Sequence, residues 1–376
     1  MSAIDLHTKP FNQETITKLE IFERYAQAWL PTFVMRPGSG TELCIFDFFA
    51  GTGYDINGVP GSPIRFLRTI QEHRGNMFNK KMQVSLYLNE YEPNKKLQNK
   101  FIQLKTSCEQ FLAAHPGLEQ IAKIEYSNED CETLFPKLLP IIAKFPSLVY
   151  LDQNGIKFAD EKYFLALEKT TTTDFLYFLS SSYFWRFGET EEFKKHLLID
   201  MDEAKRNPYK HIHRNVLNQL RKKLPTSSKL KLYPFSIKRD PNIYGIIFGA
   251  KHPRAVDKFL TIAWGKNIMN GQANFDIDDD LPPTQMELFS DRKPNKIESF
   301  QSEVRRKVLA KELTNNKQLF DFTLEQGHIG SHAAVVLKRM KADKEVQYDS
   351  RSPLVNYESA YKNSKIVNFV VVGKKC

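Results

Sequence analysis

The sequence predicts an α/β fold with a doubly wound parallel sheet, followed by a C-terminal winged-helix-like module. Three observations predict it. Short apolar segments, suited to buried strands, alternate with helical segments of roughly 10–20 residues as far as residue 267. A segment rich in proline and acidic residues at 270–296 then interrupts this alternation. Beyond it, three helical segments precede two short apolar segments that can pair as a ribbon.

The first domain is predicted to span residues 1–269. A helical spacing of apolar residues opens it, and strands and helices then follow in turn. Ser62 and Pro63 are a typical helix start. The predicted strands are 43–49, 83–90, 147–155, 173–182 and 243–252, with a strand followed by a turn at 122–130. The predicted helices are 15–34, 62–73, 93–114, 131–145, 161–170, 193–224 and 253–267.

The remaining chain is predicted to form a linker at 270–296 and a small module at 297–376. Pro282, Pro283 and the acidic run 278–280 indicate the linker, because they leave no sustained periodicity. The module combines helices at 297–313, 315–326 and 331–343 with a β-ribbon of 346–352 and 365–373. In a winged helix the third of these helices is the recognition helix. Lys338 and Arg339 on it are therefore candidate nucleic-acid contacts.

Composition excludes several classes of protein. Hydrophobic residues make up 41% of the 376 residues and charged residues 26%, which is typical of a globular chain and not of a disordered one. No apolar run approaches the roughly 18 residues of a membrane span, and no apolar signal core opens the chain. We therefore expect a cytoplasmic protein. The four cysteines show no metal-ligand spacing, so we expect free thiols and no metal site.

The net charge of +10 is concentrated in one segment. Residues 194–239 hold 13 Lys or Arg and three acidic residues, within a basic helical insert predicted at 190–240. Such a field attracts polyanions, although a solvated basic helix without a partner is the alternative. The candidate nucleic-acid contacts here are Arg214, Arg221, Lys222 and Lys223. Upstream, Trp185 and Arg186 lie in an aromatic run that suits base stacking, with ordinary core packing as the alternative.

The first predicted strand ends in a carboxylate and a glycine turn, Asp47-Phe-Phe-Ala-Gly51-Thr-Gly53-Tyr54. This turn is neither GxGxxG nor GxxxxGK[ST], so it predicts no phosphate cradle. It resembles the turn of enzymes that bind S-adenosylmethionine, a ligand without phosphate. Three further strands end at Glu90, Asp130 and Asp152. A helix cap or loop acid is the alternative for each alone, but together they predict a ligand site at the carboxyl ends of the strands.

The predicted roles follow from these positions. Glu90 would hold a ribose diol and Asp130 an adenine amino group, while Asp152 and Asn154 would accept from a target amine. The candidate cofactor-binding residues are Asp47, Phe49, Gly51, Gly53, Tyr54, Ser62, Glu90 and Asp130, and the candidate catalytic residues are Asp152 and Asn154.

Several segments resemble the three-Cys-motif partner family (TcmP). They are the opening helix with Lys18 and Tyr25, then 46–67, 148–158, 244–264 and a C-terminal helical module. The resemblance implies a Rossmann-like sheet of the methyltransferase type, a three-Cys-motif protein as partner, and a mobile or defence locus. The family's equivalent of 151–155 usually contains Asp-Pro-Phe-Gly, whereas Gln153 and Asn154 stand here between Asp152 and Gly155.

These observations lead to two hypotheses. The first is a nucleic-acid-directed methyltransferase, or an allied modification factor, that uses S-adenosylmethionine. The second is a non-catalytic subunit that binds nucleic acid and recruits another enzyme, which the substitution at Gln153-Asn154 favours.

Overall fold

A computed structural model describes residues 9–35, 42–93, 99–152, 161–180, 188–191, 200, 202, 212–239, 242–274 and 294–372. The chain divides into two compact units, Met1–Lys251 and His252–Cys376. This division lies before the helix at Pro253–Lys266, which the sequence analysis assigns to the first domain. Within the described residues, no helix is long and apolar enough to cross a membrane.

The first unit alternates strands and helices. Its described helices are α1 (Gln13–Val34), α2 (Ser62–Glu72), α3 (Arg74–Asn79), α4 (Asn99–Ala113), α5 (Cys131–Lys144), α6 (Glu161–Glu168) and α7 (Ile212–Lys223), with a 3₁₀ turn at Leu118–Gln120. Its strands are β1 (Glu42–Asp47), β2 (Gln83–Asn89), β3 (Ala122–Ser127), β4 (Ser147–Leu151), β5 (Thr173–Ser180), β6 (Lys231–Arg239) and β7 (Asn242–Ala250).

The seven strands form one sheet in the order β3-β2-β1-β4-β5-β7-β6. Strands β1 to β5 are parallel, with Asp47 of β1 opposite Tyr150 of β4. The chain builds outward from β1 to β3 and then returns to place β4 on the other side of β1. The doubly wound α/β fold is thereby confirmed, and its switch point lies between β1 and β4.

Two features of the sheet differ from the sequence-based prediction of an all-parallel sheet. Strand β7 runs antiparallel to both β5 and β6, and the prediction contains no strand at β6. Pro234 within β6 argues against a central strand, since proline donates no ladder hydrogen bond. The structure accommodates it because β6 is the edge strand of the sheet. The prediction also omits α3.

Burial explains why these segments form strands and helices. All residues of β1 except Glu42, and all residues of β4, are buried, as expected for central parallel strands. Asn12 caps α1 by accepting from Thr15 N, and Pro63 occupies the first turn of α2. Of the predicted basic helix 193–224, the structure describes the part from Ile212 onward as a helix, together with residues 200 and 202.

The second unit contains helices α8 (Pro253–Lys266), α9 (Lys296–Leu309), α10 (Asn316–Glu325) and α11 (Gly330–Ala342), then β8 (Val346–Gln347), a π-helical turn (Glu358–Lys362) and β9 (Val370–Val371). Strands β8 and β9 pair antiparallel, and Asn315 before α10 bridges to Asn368 before β9. Three helices with a small ribbon are the arrangement of a winged helix, so the predicted C-terminal module is confirmed.

Candidate functional site

Asp47 ends β1 at the switch point of the sheet and is 2% exposed. Its Oδ2 accepts a hydrogen bond from Ser62 Oγ at 2.6 Å, and its Oδ1 accepts from Phe49 N at 3.1 Å. Burial raises the pKa of Asp47 to about 6, although these two hydrogen bonds oppose the shift. The Asp47 carboxylate therefore joins the loop after β1 to the start of α2. Ser62 is the residue of α2 that makes this connection.

Two glycines in this loop have left-handed backbones, with φ of 68° at Gly51 and 90° at Gly53. The Gly51 N–H donates to Glu90 Oε2 at 2.9 Å. Gly53 packs against α4, because a Cβ built on it would lie 2.6 Å from Ser107 Cβ. The two predicted cofactor-binding glycines thus do different things: Gly51 is part of the contact with Glu90, and Gly53 allows close packing of α4.

Phe49 and Tyr54, the two aromatic candidates of the loop, are both half-buried. Phe49 packs against the hydrophobic core. The Tyr54 backbone bridges to Pro60, and its carbonyl oxygen accepts from Thr52 Oγ1 at 2.7 Å. Asp55 completes this short loop by accepting from the backbone N–H of three residues, Phe11, Asn57 and Val59. The loop thus has internal hydrogen bonds, as a preformed binding loop requires.

Glu90 follows β2 and is half-buried beside this loop. Burial raises its pKa to about 7, Gly51 N–H and Lys100 oppose the shift, and Asp47 adds to it. A carboxyl group in this state exists in both charge forms near neutral pH. An ionised Glu90 accepts hydrogen bonds only, whereas the protonated form also donates one.

Asn89 is a residue of this site that the sequence analysis missed. It is 2% exposed, and its Nδ2 donates to the carbonyl oxygens of Phe48 and Glu129, both at 3.1 Å. Its Oδ1 accepts from Glu129 N at 3.1 Å. One amide thus joins the segments that follow β1, β2 and β3. An asparagine as the last residue of a buried strand was the available signal, since buried amides need partners.

Asp130 lies after β3 as predicted, but it caps a helix. Its Oδ1 accepts from Glu132 N at 2.8 Å, which satisfies a donor at the first turn of α5. Asp130 is therefore a helix cap in the structure, which is the alternative that the sequence left open for this acid. Its predicted contact with an adenine amino group stays a prediction.

Asp152 follows β4, across the switch point from Asp47. Its Oδ2 forms an ion pair with Lys18 Nζ of α1, and both side chains are largely buried, at 19% and 11% exposed. Its Oδ1 is buried and has no hydrogen-bond partner within the described residues. Lys18 Nζ also lies 4.6 Å from the ring centroid of Phe178 on β5. Asn154, the second catalytic candidate, lies outside the described residues.

The candidate nucleic-acid residues of the first unit divide into three groups. Trp185 and Arg186 lie outside the described residues. In α7, Arg221 donates to Asn218 Oδ1 at 3.0 Å and to the Leu232 carbonyl, and Lys223 pairs with Glu161. Arg214 is half-buried, and its Nη2 donates to Ser236 Oγ at 3.4 Å. Lys222 is exposed. Arg214, Arg221 and Lys223 thus have contacts within the protein, and it stays a prediction that α7 follows a phosphate backbone.

Lys338 and Arg339 lie on α11, the third helix of the winged helix, and both are exposed. Val336, Leu337 and Met340 are buried on the same helix. Lys341 is directed to the ribbon instead, where its Nζ donates to the Tyr348 carbonyl at 2.9 Å. The exposed face of α11 therefore has two cations of the recognition-helix type.

Comparison with known proteins finds a family match in the C-terminal part of the chain. A family described as "GMT-like wHTH domain" matches residues 275–353. No curated protein matches the chain. Among solved structures, the chain is similar to the O-methyltransferase TomG from Streptomyces achromogenes, involved in tomaymycin synthesis and solved with SAM, at 11% identity and a TM-score of 0.32 over 65% of this chain and 91% of that one.

A protein from Klebsiella pneumoniae classed as an O-methyltransferase is similar at 12% identity and a TM-score of 0.30, over 64% of this chain and 90% of that one. Both scores are below 0.5, so the fold assignment rests on the strand order of the sheet itself. The chain thus combines a Rossmann-like sheet with a winged helix. No cluster of three or more metal-ligating side chains occurs within the described residues.

Proposed function

We propose that the first unit binds S-adenosylmethionine at the carboxyl ends of β1 and β2 and transfers its methyl group to a nucleic acid. The observation that carries this proposal is the contact of Glu90 Oε2 with Gly51 N, at 2.9 Å beside the switch point. It places a half-buried carboxylate and a left-handed glycine next to each other, where doubly wound sheets bind their ligands.

The residues present fit this cofactor better than a nucleotide phosphate. The loop after β1 has neither phosphate-binding glycine pattern. Glu90 can accept from both hydroxyls of a ribose, a charge-assisted contact that suits a nucleoside. Gly51 lets the backbone pass close to a ligand without a side chain between them. The cofactor supplies an electrophilic methyl group bound to a sulfonium.

The acceptor side of the site is proposed to include Asp152 and Asn154. Asp152 presents Oδ1 as an acceptor, since Lys18 pairs with its other oxygen. An amine that donates to this oxygen would be oriented for attack, which is the main contribution the protein makes to a displacement reaction.

The nucleic-acid part of the proposal is supported by the second unit. Its family match, its helix–ribbon arrangement and the exposed Lys338 and Arg339 together favour contact with a phosphate backbone. The resemblance of several segments to the TcmP family supports a finer proposal: a methyltransferase-like protein that works with a three-Cys-motif partner, in a mobile or defence locus.

A second candidate is a non-catalytic subunit that binds nucleic acid and recruits an enzyme. The sequence Gln153-Asn154, in place of a proline and an aromatic residue, favours it. In that case the cofactor site would be retained only as a binding site, and no methyl group would reach a nucleic acid.

The proposal is tested in two steps: binding of S-adenosylmethionine to the protein, and transfer of its methyl group to a nucleic acid. Calorimetric titration with S-adenosylmethionine and with S-adenosylhomocysteine measures the first step, with Glu132→Gln, an exposed acid on α5, as matched control for Glu90→Gln. Radiolabelled cofactor incubated with total DNA and total RNA measures the second. Binding without transfer to either would select the non-catalytic subunit, and absence of binding at millimolar ligand would refute the cofactor proposal.

A further inference from the structure

Three charged side chains meet at the switch point of the sheet. Lys18 of α1 pairs with Asp152 after β4, and Asp47 ends the neighbouring strand β1. Both neighbours interact electrostatically with Asp47: Asp152 raises the pKa of Asp47, and Lys18 lowers it. The cluster therefore contains two carboxylates and one ammonium, in a region where Asp47 is almost fully buried.

Lys18 is held in place by more than the ion pair. Its side chain is 11% exposed, and its Nζ lies 4.6 Å from the Phe178 ring centroid. Thr17 beside it is buried too. A lysine held between a carboxylate and an aromatic ring loses rotamer freedom, which a surface lysine retains. Its position is thus a fixed feature of the site.

The oxygens of the two carboxylates have different surroundings. Both Asp47 oxygens already accept, from Ser62 Oγ and Phe49 N. Asp152 Oδ2 is paired with Lys18, whereas its Oδ1 is buried without a hydrogen-bond partner within the described residues. A buried acceptor is costly unless a donor meets it. Of the four oxygens, Asp152 Oδ1 is thus the one suited to a ligand.

We propose that Lys18 is a positioning residue of this site, which supplies positive charge beside Asp47 and, through its ion pair with Asp152 Oδ2, presents Asp152 Oδ1 to an amine. This inference rests on the proposed function for the identity of the amine. The amine belongs either to the methionine part of the cofactor or to the acceptor. With Lys18 in place the cluster has a net charge of −1, which complements one ammonium group.

Removing Lys18 would leave two carboxylates without a cation between them. Without Lys18, the negative charge of Asp152 would raise the pKa of Asp47 further, because a nearby like charge disfavours ionisation. A proton on Asp47 would change the hydrogen bonding of the cluster, since a protonated carboxyl also donates.

Tyr150 and Glu90 also interact with Asp47, and Tyr25 and Asp174 interact with Tyr150 in turn. Tyr150 on β4 and Tyr25 on α1 stay neutral, because burial raises both pKa values well above 10. Asp174 on β5 accepts from Tyr25 OH at 2.8 Å. Glu90 interacts with Asp47 across the loop. None of these four supplies a positive charge, so Lys18 is the cation that acts on Asp47 in this group.

The first experiment needs no ligand. The titration of Asp47 is followed by carbon-13 NMR of labelled aspartate carboxyls in the full chain, and the signal is assigned with Asp47→Asn. In Lys18→Met the midpoint should rise by about one pH unit or more, whereas Lys18→Arg should restore it. Lys162→Met, which removes an exposed lysine on α6, is the matched control. An unchanged midpoint in Lys18→Met would overturn the proposal.

Asp152→Asn keeps the proposal testable if Lys18→Met does not fold. Removing the neighbouring negative charge should lower the Asp47 midpoint, and an unchanged midpoint would again contradict the cluster. The second experiment identifies the amine by calorimetry of Lys18→Met with S-adenosylhomocysteine and with 5′-methylthioadenosine, which lacks the amino acid part.

A loss of tenfold or more for the first ligand alone would assign the amine to the cofactor. Unchanged affinity for both would assign it to the acceptor, and methyl transfer should then fall instead. If the unaltered protein binds neither ligand, the proposed function fails, while the Asp47 titration still decides the role of Lys18.

Discussion

Replacing Glu90 by glutamine separates the charge of this side chain from its hydrogen bond to the loop after β1. Glutamine keeps an oxygen that can accept from Gly51 N, so the loop should retain its shape. What disappears is the ionised form. The pKa of Glu90, which burial raises to about 7, means that the unaltered protein changes charge at this residue near neutral pH.

The magnitude follows from the hydrogen bonds that a ribose diol would make. Losing charge-assisted contacts should cost about 1–3 kcal/mol, or about 5- to 150-fold in Kd, for S-adenosylhomocysteine at pH 8. Because the ionised form of Glu90 binds better, the affinity of the unaltered protein should fall as pH drops through about 7. In Glu90→Gln this dependence should be absent, and the affinity should stay near the low-pH value.

Calorimetric titration between pH 5.5 and 8.5, with Glu132→Gln as control, measures both effects. Glu90→Gln should also remove a pH dependence of stability that the unaltered protein has. A folded pKa raised above the unfolded value means that the native state binds more protons between about pH 4.5 and 7, so the free energy of unfolding falls as pH rises through that window. The fall is at most about 3 kcal/mol. Equal pH slopes of affinity in the unaltered protein and in Glu90→Gln would refute the reasoning.

Three further predictions concern packing and charge. Gly53→Ala should lower the free energy of unfolding, measured by urea titration, by about 2–4 kcal/mol, because its Cβ would lie 2.6 Å from a side chain of α4 and its φ is 90°. Gly58→Ala is the control: its φ is 76°, but the new Cβ would meet open space, so the same titration should show a loss of only about 1 kcal/mol. Gly330→Ala should destabilise the second unit by about 3 kcal/mol or more, because its Cβ would lie 2.0 Å from a backbone oxygen, and protection of the α11 amides in hydrogen exchange reports it. Lys338→Glu with Arg339→Glu should reduce the salt slope of nucleic-acid binding by about two contacts, and an unchanged slope in fluorescence anisotropy would exclude α11 from the phosphate interface.

Much of the fold could be read from the sequence because the signals were local. Strands such as β1 and β4 are continuous apolar segments, Pro63 marks the first turn of α2, and Asn295 caps α9. The winged helix was likewise predicted from three helical segments and a ribbon. Boundaries were less accurate: α9 ends at Leu309 and not at residue 313, because Lys311 has a left-handed backbone with φ of 60°.

The carboxylates of the site illustrate the limit of this approach. Their positions at the ends of strands follow from sequence, since the carboxyl ends of parallel strands share one edge. Their roles do not. Asp47 organises a loop, Asp130 caps a helix, and Glu90 contacts Gly51. Only three-dimensional neighbours distinguish these roles, because each carboxylate looks the same in the sequence.

The sequence by itself determined the alternation of strands and helices, the glycine turn after β1, and the small helical module at the end of the chain. Tertiary structure alone decided the antiparallel placement of β7, the edge position that accommodates Pro234, and the pairing of Lys18 with Asp152. The physical reason is the range of the interactions. Periodicity and capping act within a few residues, whereas burial and ion pairing join residues that are more than a hundred positions apart and that meet only when the sheet forms.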